Sequence, residues 1–295
     1  MKYSILFLLL FSFKLSYSQV LYLDKGFSVS KKTSTYKTIN YAKKLKFDFY
    51  KPRKAEGELP LLIYVHGGGF SGGKRNSKNV VRFAKQMAGR GYAVASVSYR
   101  LTMQNIGFGC ATNSTDKINA FNDASEDISL AVKFIIDHKE KYNIDARKII
   151  LIGTSAGAEA ILNLAYVYNN KILPSDFKFA GIISMAGAVT TIENITHQNA
   201  IPTQLFHGIN DKIVPYNVAS HHYCSKKSEG YLVLYGSKAI ADKLKNIGKS
   251  YYLYSVKKGD HSWSIRPIIY SKPEIIDFLY YDVLKQSKRQ IETFI

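Results

Sequence analysis

The stretch Lys148–Tyr168, KIILIGTSAGAEAILNLAYVY, decides how this chain is read. Four apolar residues, Ile149 to Ile152, run into Gly153-Thr154-Ser155-Ala156-Gly157 and then at once into Ala, Leu and Ile at helical spacing. A short apolar run suits a buried strand, and the spacing after it suits a helix, so Ser155 sits at the apex of a sharp strand–turn–helix. Small residues flank it because such a turn strains the serine backbone and brings neighbouring Cβ positions into collision. The pattern G-x-S-x-G carries meaning only in that context, and here the context is present.

A serine hydroxyl is a weak nucleophile at neutral pH and needs an adjacent base, itself oriented by a third group. Downstream, His207-Gly208-Ile209-Asn210-Asp211 follows the apolar run at 203–206, and Gly259-Asp260-His261-Ser262-Trp263 follows the run at 251–256. Both segments lie just past strands, at the carboxyl end of a parallel sheet, where the sites of open α/β folds gather. His261 is the candidate base, and Asp211 is the candidate acid that fixes its tautomer. A lone Asp in a turn or a lone His is usually structural, but partners in the order Ser, Asp, His at successive strand ends change that balance. Asp260 is the main rival acid, although adjacency to the His turns its side chain elsewhere; Glu229 is a weaker rival.

The chemistry also needs backbone N–H donors aimed at developing negative charge. One belongs to Ala156, directly after the serine. Others are expected from His66-Gly67-Gly68-Gly69-Phe70, a glycine-rich loop following the apolar run at 61–65. His66 reads as an anchor of that loop. A second match to G-x-S-x-G, Gly69-Phe70-Ser71-Gly72-Gly73, lies beyond its strand and runs into Lys74-Arg75-Asn76 instead of a helix, so Ser71 fails the context test.

Around these points strands alternate with helices. Strands are predicted at 45–50, 61–65, 92–97, 149–152, 180–185, 203–206 and 251–256, with an edge strand or two within 19–44. Helices are predicted at 76–90, 120–142, after the elbow, at 237–248 and, closing the chain, at 272–285. Residues 101–119 and 216–235 read as a polar loop and an irregular segment. The alternation predicts one α/β domain over 19–295: a mostly parallel sheet with helices on both faces and no large lid.

HGGGF, GTSAG, HGxxDxxVP and the late His together resemble the α/β-hydrolase superfamily, from about residue 45 to the C-terminus. Within it the chain looks like carboxylesterases carrying the His-Gly-Gly-Gly motif, similar to hormone-sensitive-lipase-like enzymes, and like smaller acetylxylan or feruloyl esterases. The resemblance implies an α/β-hydrolase fold, a Ser155–His261–Asp211 triad, Gly68 and Gly69 beside Ala156 as oxyanion donors, and no cofactor. Thr154 stands where the lipase-like pattern has an acid, no N-terminal helical cap is evident, and the elbow-to-Asp211 segment is short. These departures imply an open site suited to short acyl or aryl esters, on a small molecule or a polysaccharide. The same triad cleaves amides, so a peptidase or arylformamidase-like enzyme is an alternative; a non-catalytic binding protein of this fold is another.

The N-terminus reads differently. Lys2, the apolar run 5–13 and Ser16-Tyr17-Ser18 have the form of a secretory signal peptide cut after Ser18. The run is too short to span a bilayer, so no transmembrane segment is expected. Removing 1–18 takes away two lysines and no acid, lowering the net charge from +19 to +17. The lysines are scattered, with no block of five and no nucleic-acid motif, so a solvated basic surface is expected and no specific nucleic acid. Cys110 and Cys224, the only two cysteines, invite a disulfide in an oxidising compartment, which spacing alone leaves open. His221-His222-Tyr223-Cys224 lacks the partners of a metal site and reads as a surface turn. Trp263, the only tryptophan, either stacks on a sugar or aryl group or packs beneath the last loop.

Overall fold

A computed structural model describes residues 20–40 and 43–295; the proposed signal peptide lies outside the described residues. The chain runs through β1 (Val29–Asn40), β2 (Lys43–Pro52), β3 (Leu59–Val65), α1 (Lys78–Ala88), β4 (Ala93–Val97), α2 (Ser114–Asp137) and the single turn α3 (Lys139–Tyr142). Then come β5 (Ile144–Thr154), α4 (Ala156–Tyr166), β6 (Gly181–Met185), the two-residue β7 (Ala188–Val189), β8 (Thr203–Gly208), β9 (Val218–Ser220) and β10 (Val233–Gly236). It ends with α5 (Ser237–Asn246), β11 (Tyr251–Val256), α6 (Pro267–Tyr270), α7 (Lys272–Asp277) and β12 (Gln290–Phe294).

Among the described residues nine strands form one sheet, in the order β1-β2-β4-β3-β5-β6-β8-β11-β12. The β1–β2 and β2–β4 pairs are antiparallel; every pair from β4 to β12 is parallel. Side-chain alternation loads both faces. Leu61, Ile63 and Val65 of β3 join one core layer, with Phe121, Ile128 and Val132 of α2 and Ile161 and Leu162 of α4. Leu62 and Tyr64 join the other, with Phe83 and Met87 of α1 and Ile275 and Phe278 near the C-terminus. A sheet buried on both faces needs near-continuous apolar strands, which is why β3 and the end of β5 contain scarcely a polar side chain. The mostly parallel α/β architecture expected from the alternation is the architecture found.

Three expectations need correction. The helix placed at 120–142 starts six residues earlier, at Ser114, where the Asn113 side chain accepts from Thr115 N at 2.8 Å, and it breaks at His138. Its polar first turn hides the start. Residues 216–235 are not wholly irregular, because β9 and β10 join β7 in a small antiparallel sheet. The chain does not close on a helix. The segment at 272–284 passes from α7 into a wider π-type turn, and β12 then adds a parallel edge strand beside β11.

Candidate active site

The site lies at the carboxyl ends of β3, β5, β8 and β11. At the tip of β5, Ser155 has φ +50° and ψ −125°, a strained conformation for a residue bearing a Cβ. It is held by Ser155 N donating to Met185 O at 2.9 Å and by Glu159 N donating to Ser155 O at 2.9 Å. The turn fits only because its flank is bare: a Cβ on Gly157 would lie 2.4 Å from Val65 O. Close approach of α4 to the end of β3 is the reason for that glycine.

Asp211 and His261 come from the loops after β8 and β11. These loops are stitched together by Ile209 N donating to Val256 O and Asn210 N donating to Gly259 O, each at 2.9 Å. The result is a continuous chain of short contacts. Ser155 Oγ is 2.8 Å from His261 Nε2, and His261 Nδ1 is 2.7 Å from Asp211 Oδ2. Asp211 is fully buried, and both its oxygens are engaged. Oδ1 accepts from the backbone N–H of Ile213 and Val214 at 2.8 and 3.1 Å. Oδ2 also lies 3.3 Å from Nε2 of the buried His207, whose Nδ1 pairs with Ser237 Oγ at 2.8 Å. Burial alone would raise the Asp211 carboxyl; the hydrogen bonds from His207 and His261 outweigh it and hold the group well below the usual carboxylate range. An ionised carboxylate only accepts, so the proton between the two residues sits on His261 Nδ1 and leaves Nε2 free to accept from the serine.

The rivals lie elsewhere. Asp260 Oδ1 accepts from Ser262 N at 3.0 Å, capping the short 3₁₀ turn that begins at His261. Ser71 Oγ donates to Gly68 O at 3.1 Å, inside its own turn. Glu229 gives its backbone carbonyl to Ser114 N. Trp263 is half-buried, with its ring 6.3 Å from Tyr254 and the Arg266 guanidinium 5.8 Å from its centre, so it packs beneath the last loop.

A cavity of about 550 Å³ opens beside Ser155, lined by Gly67, Gly68, Gly69, Ala156 and His261 among others. Gly68 has φ +124°, and a Cβ there would lie 2.5 Å from Gly72 O, so no other residue fits the loop. Among the described residues, the amides of Gly68, Gly69 and Ala156 donate to no protein acceptor. His66 holds this loop from behind, its ring stacked on Tyr99 at 4.6 Å while Tyr99 Oη donates to His66 O at 2.8 Å.

The opposite wall is the part that sequence reasoning missed. His221 is buried and lines the cavity, where a surface turn was expected. Its Nε2 is 3.6 Å from Oε1 of Glu159, a buried residue one turn into α4 that lines the same cavity. Burial, then the nearby Asp211 charge, pushes the Glu159 carboxyl up to about 8, against the opposing pull of Lys117. Burial likewise drives His221 well below the ordinary imidazole value. Cys110 and Cys224 form a disulfide, Cα to Cα 5.3 Å, which clips the loop before α2 to this wall. Gly230 N donating to Cys110 O at 3.0 Å and the buried Lys117 Nζ donating to Gly230 O at 2.8 Å lock the same junction. Among the described residues no group of His, Cys, Asp and Glu is arranged to hold a metal ion.

Comparison with known proteins agrees with this fold. The BD-FAE family model matches residues 47–193. The chain belongs to the α/β-hydrolase superfamily. Among relatives of known sequence, gut esterase 1 of Caenorhabditis elegans is 31% identical over 157 residues, 51% of this chain and 27% of its own length. Chlorogenic acid esterase of Aspergillus niger is 27% identical over 136 residues, 46% of this chain and 24% of its own. The chain thus spans about a quarter of the length of the curated relatives it matches. The apo form of Thermogutta terrifontis esterase 2 superposes with a TM-score of 0.61 at 16% identity, over 84% of this chain and 93% of that one, a likeness of fold.

Proposed function

We propose that this α/β-hydrolase is an exported serine esterase, a single catalytic domain over 19–295 that cleaves short acyl or aryl esters through an acyl-enzyme. The relay of 2.8 and 2.7 Å from Ser155 through His261 to Asp211, on the wall of a cavity lined by three unpaired amides, carries the reading. His261 Nε2 takes the Ser155 proton as Oγ attacks the ester carbonyl. The amides of Ala156, Gly68 and Gly69 receive the oxyanion, and Asp211 stabilises the imidazolium. Collapse of the tetrahedral adduct breaks the bond to the alcohol, which leaves with the proton from His261. Water then repeats the sequence on the acyl-enzyme and returns the serine.

Relatives and structural neighbours bearing esterase names support the ester as substrate. The N-terminal sequence and the disulfide support export to an oxidising compartment. The test is turnover of p-nitrophenyl acetate by purified protein beside its Ser155→Ala variant. Wild type is expected to hydrolyse it, with kcat falling by about 10⁴ to 10⁶ in the variant. Equal rates in the two proteins would remove the mechanism.

A further inference from the structure

Glu159 and His221 stand on the cavity wall, yet the relay from Ser155 to Asp211 uses neither. Both are buried, and Glu159 Oε1 and His221 Nδ1 have no hydrogen-bond partner. The two side chains approach most closely through His221 Nε2 and Glu159 Oε1, at 3.6 Å, which is too long for a hydrogen bond and leaves His221 Nδ1 untouched. Buried polar atoms left unpaired are costly, so a wall that keeps two of them beside a reaction centre is built for a ligand that pairs with them.

The donor set selects that ligand. A protonated carboxyl and a neutral imidazole each offer both a donor and an acceptor, so together they match a group that also does both. A hydroxyl does; a carbonyl only accepts and an ammonium only donates. The buried Lys117 ammonium, behind the same wall and acting on Glu159, disfavours a second cation there. Reach is short: Glu159 lies in the first turn of the helix that Ser155 caps, and its backbone N–H donates to Ser155 O at 2.9 Å. We infer that Glu159 and His221 form a polar subsite that recognises a hydroxyl two or three atoms from the scissile ester carbonyl.

This inference rests on the esterase reading above and narrows its substrate to hydroxylated short esters. The hydroxyl can belong to the acyl group or to the alcohol, and matched pairs that exchange hydroxyl for methyl tell these apart. The first arm compares methyl 3-hydroxybutanoate with methyl 3-methylbutanoate. The second compares 2-hydroxyethyl acetate with propyl acetate. In one arm, wild-type kcat/KM should favour the hydroxylated ester by about 10-fold or more. In Glu159→Leu and in His221→Phe that ratio should fall toward one. Should the helix-borne Glu159→Leu fail to fold, His221→Phe, on a loop, still carries the comparison.

Ratios near one in both arms, from a wild type that still hydrolyses p-nitrophenyl acetate, would overturn the subsite and leave the esterase standing. A hydroxyl preference that survives both substitutions would overturn it equally. Absence of any Ser155-dependent turnover would remove the esterase reading and this inference with it.

Discussion

Residues 47–193, the span matched by the BD-FAE model, and residues 194–295 meet at one cavity but are held in different ways. The first span brings the Gly67–Gly69 loop, Ser155 and Glu159, all placed by parallel strands and the helix that follows β5. The second brings Asp211, His221 and His261, all on connections, placed by loop-to-loop hydrogen bonds, a buried His207 and a disulfide. Backbone geometry constrains the first group, because a strained serine and a glycine in van der Waals contact admit few alternatives. Side-chain networks constrain the second, and such networks can be rebuilt in many ways. Shared family resemblance therefore concentrates where the backbone dictates the residue, while the second span's share of the cavity wall is written in loops.

The sharpest way to break this contrast is Asp211→Asn. Its Oδ1 position accepts from two backbone amides, so the amide oxygen would stay there and the NH₂ would face His261 and His207. His261 Nδ1 would then have to accept, its proton would move to Nε2, and the serine would lose its base. A fall of about 10⁴ in kcat on p-nitrophenyl acetate is expected. Asp260→Asn, which alters only the exposed cap of a half-buried 3₁₀ turn, should stay within a few-fold. The reverse ranking would place the acid in the wrong loop.

Next in size is the disulfide. Joining Cys110 to Cys224 closes a loop with a sequence separation of 114, and chain entropy gives such a closure about 4 to 5 kcal/mol. The paired Cys110→Ser, Cys224→Ser variant should lose about 2 to 5 kcal/mol in urea unfolding, with the wall around His221 loosening before the elbow does. Equal unfolding midpoints in variant and wild type would show that the second region is held by its hydrogen bonds alone.

The same contrast explains what could be read from the chain. Ser155 is legible because an apolar run, two glycines and a helix-forming tail leave one local structure available. The sheet is legible because Leu61–Val65 and Ile149–Ile152 are apolar on both faces, as only a doubly covered parallel strand must be. Asp211 and His261 are legible as positions after strands, though their mutual contact depends on backbone pairing between two loops. Glu159 carries a signal that is easily passed over: α4, AGAEAILNLAY, is apolar nearly all round, and a helix of that kind is buried, so its one acid is buried with it. His221 misleads because its burial is tertiary, with the Phe108 ring packed on it 5.1 Å away across a disulfide-linked junction. β12 escapes notice because an edge strand with Glu292 and Thr293 in its middle lacks the apolar pattern of the strands it joins.

The smallest effect concerns the buried Glu159, and pH reveals it. Its carboxyl rises from the usual 4.5 to about 8 on folding, because burial penalises the charged form most. The folded state therefore binds more protons than the unfolded state between these values, and stability falls as pH rises through that window. The contribution is complete below about 4.5 and gone above about 8. Glu159→Gln cannot ionise, so the loss of stability between pH 5 and pH 8 should be smaller in the variant than in wild type, by an amount on the order of 1 to 3 kcal/mol. Urea midpoints of both proteins at the two pH values measure it, and the comparison between proteins cancels the titration of groups that do not sense Glu159. Identical pH slopes would mean that Glu159 folds as a carboxylate stabilised by Lys117, and the wall beside the elbow would then present a charge to the cavity instead of a donor.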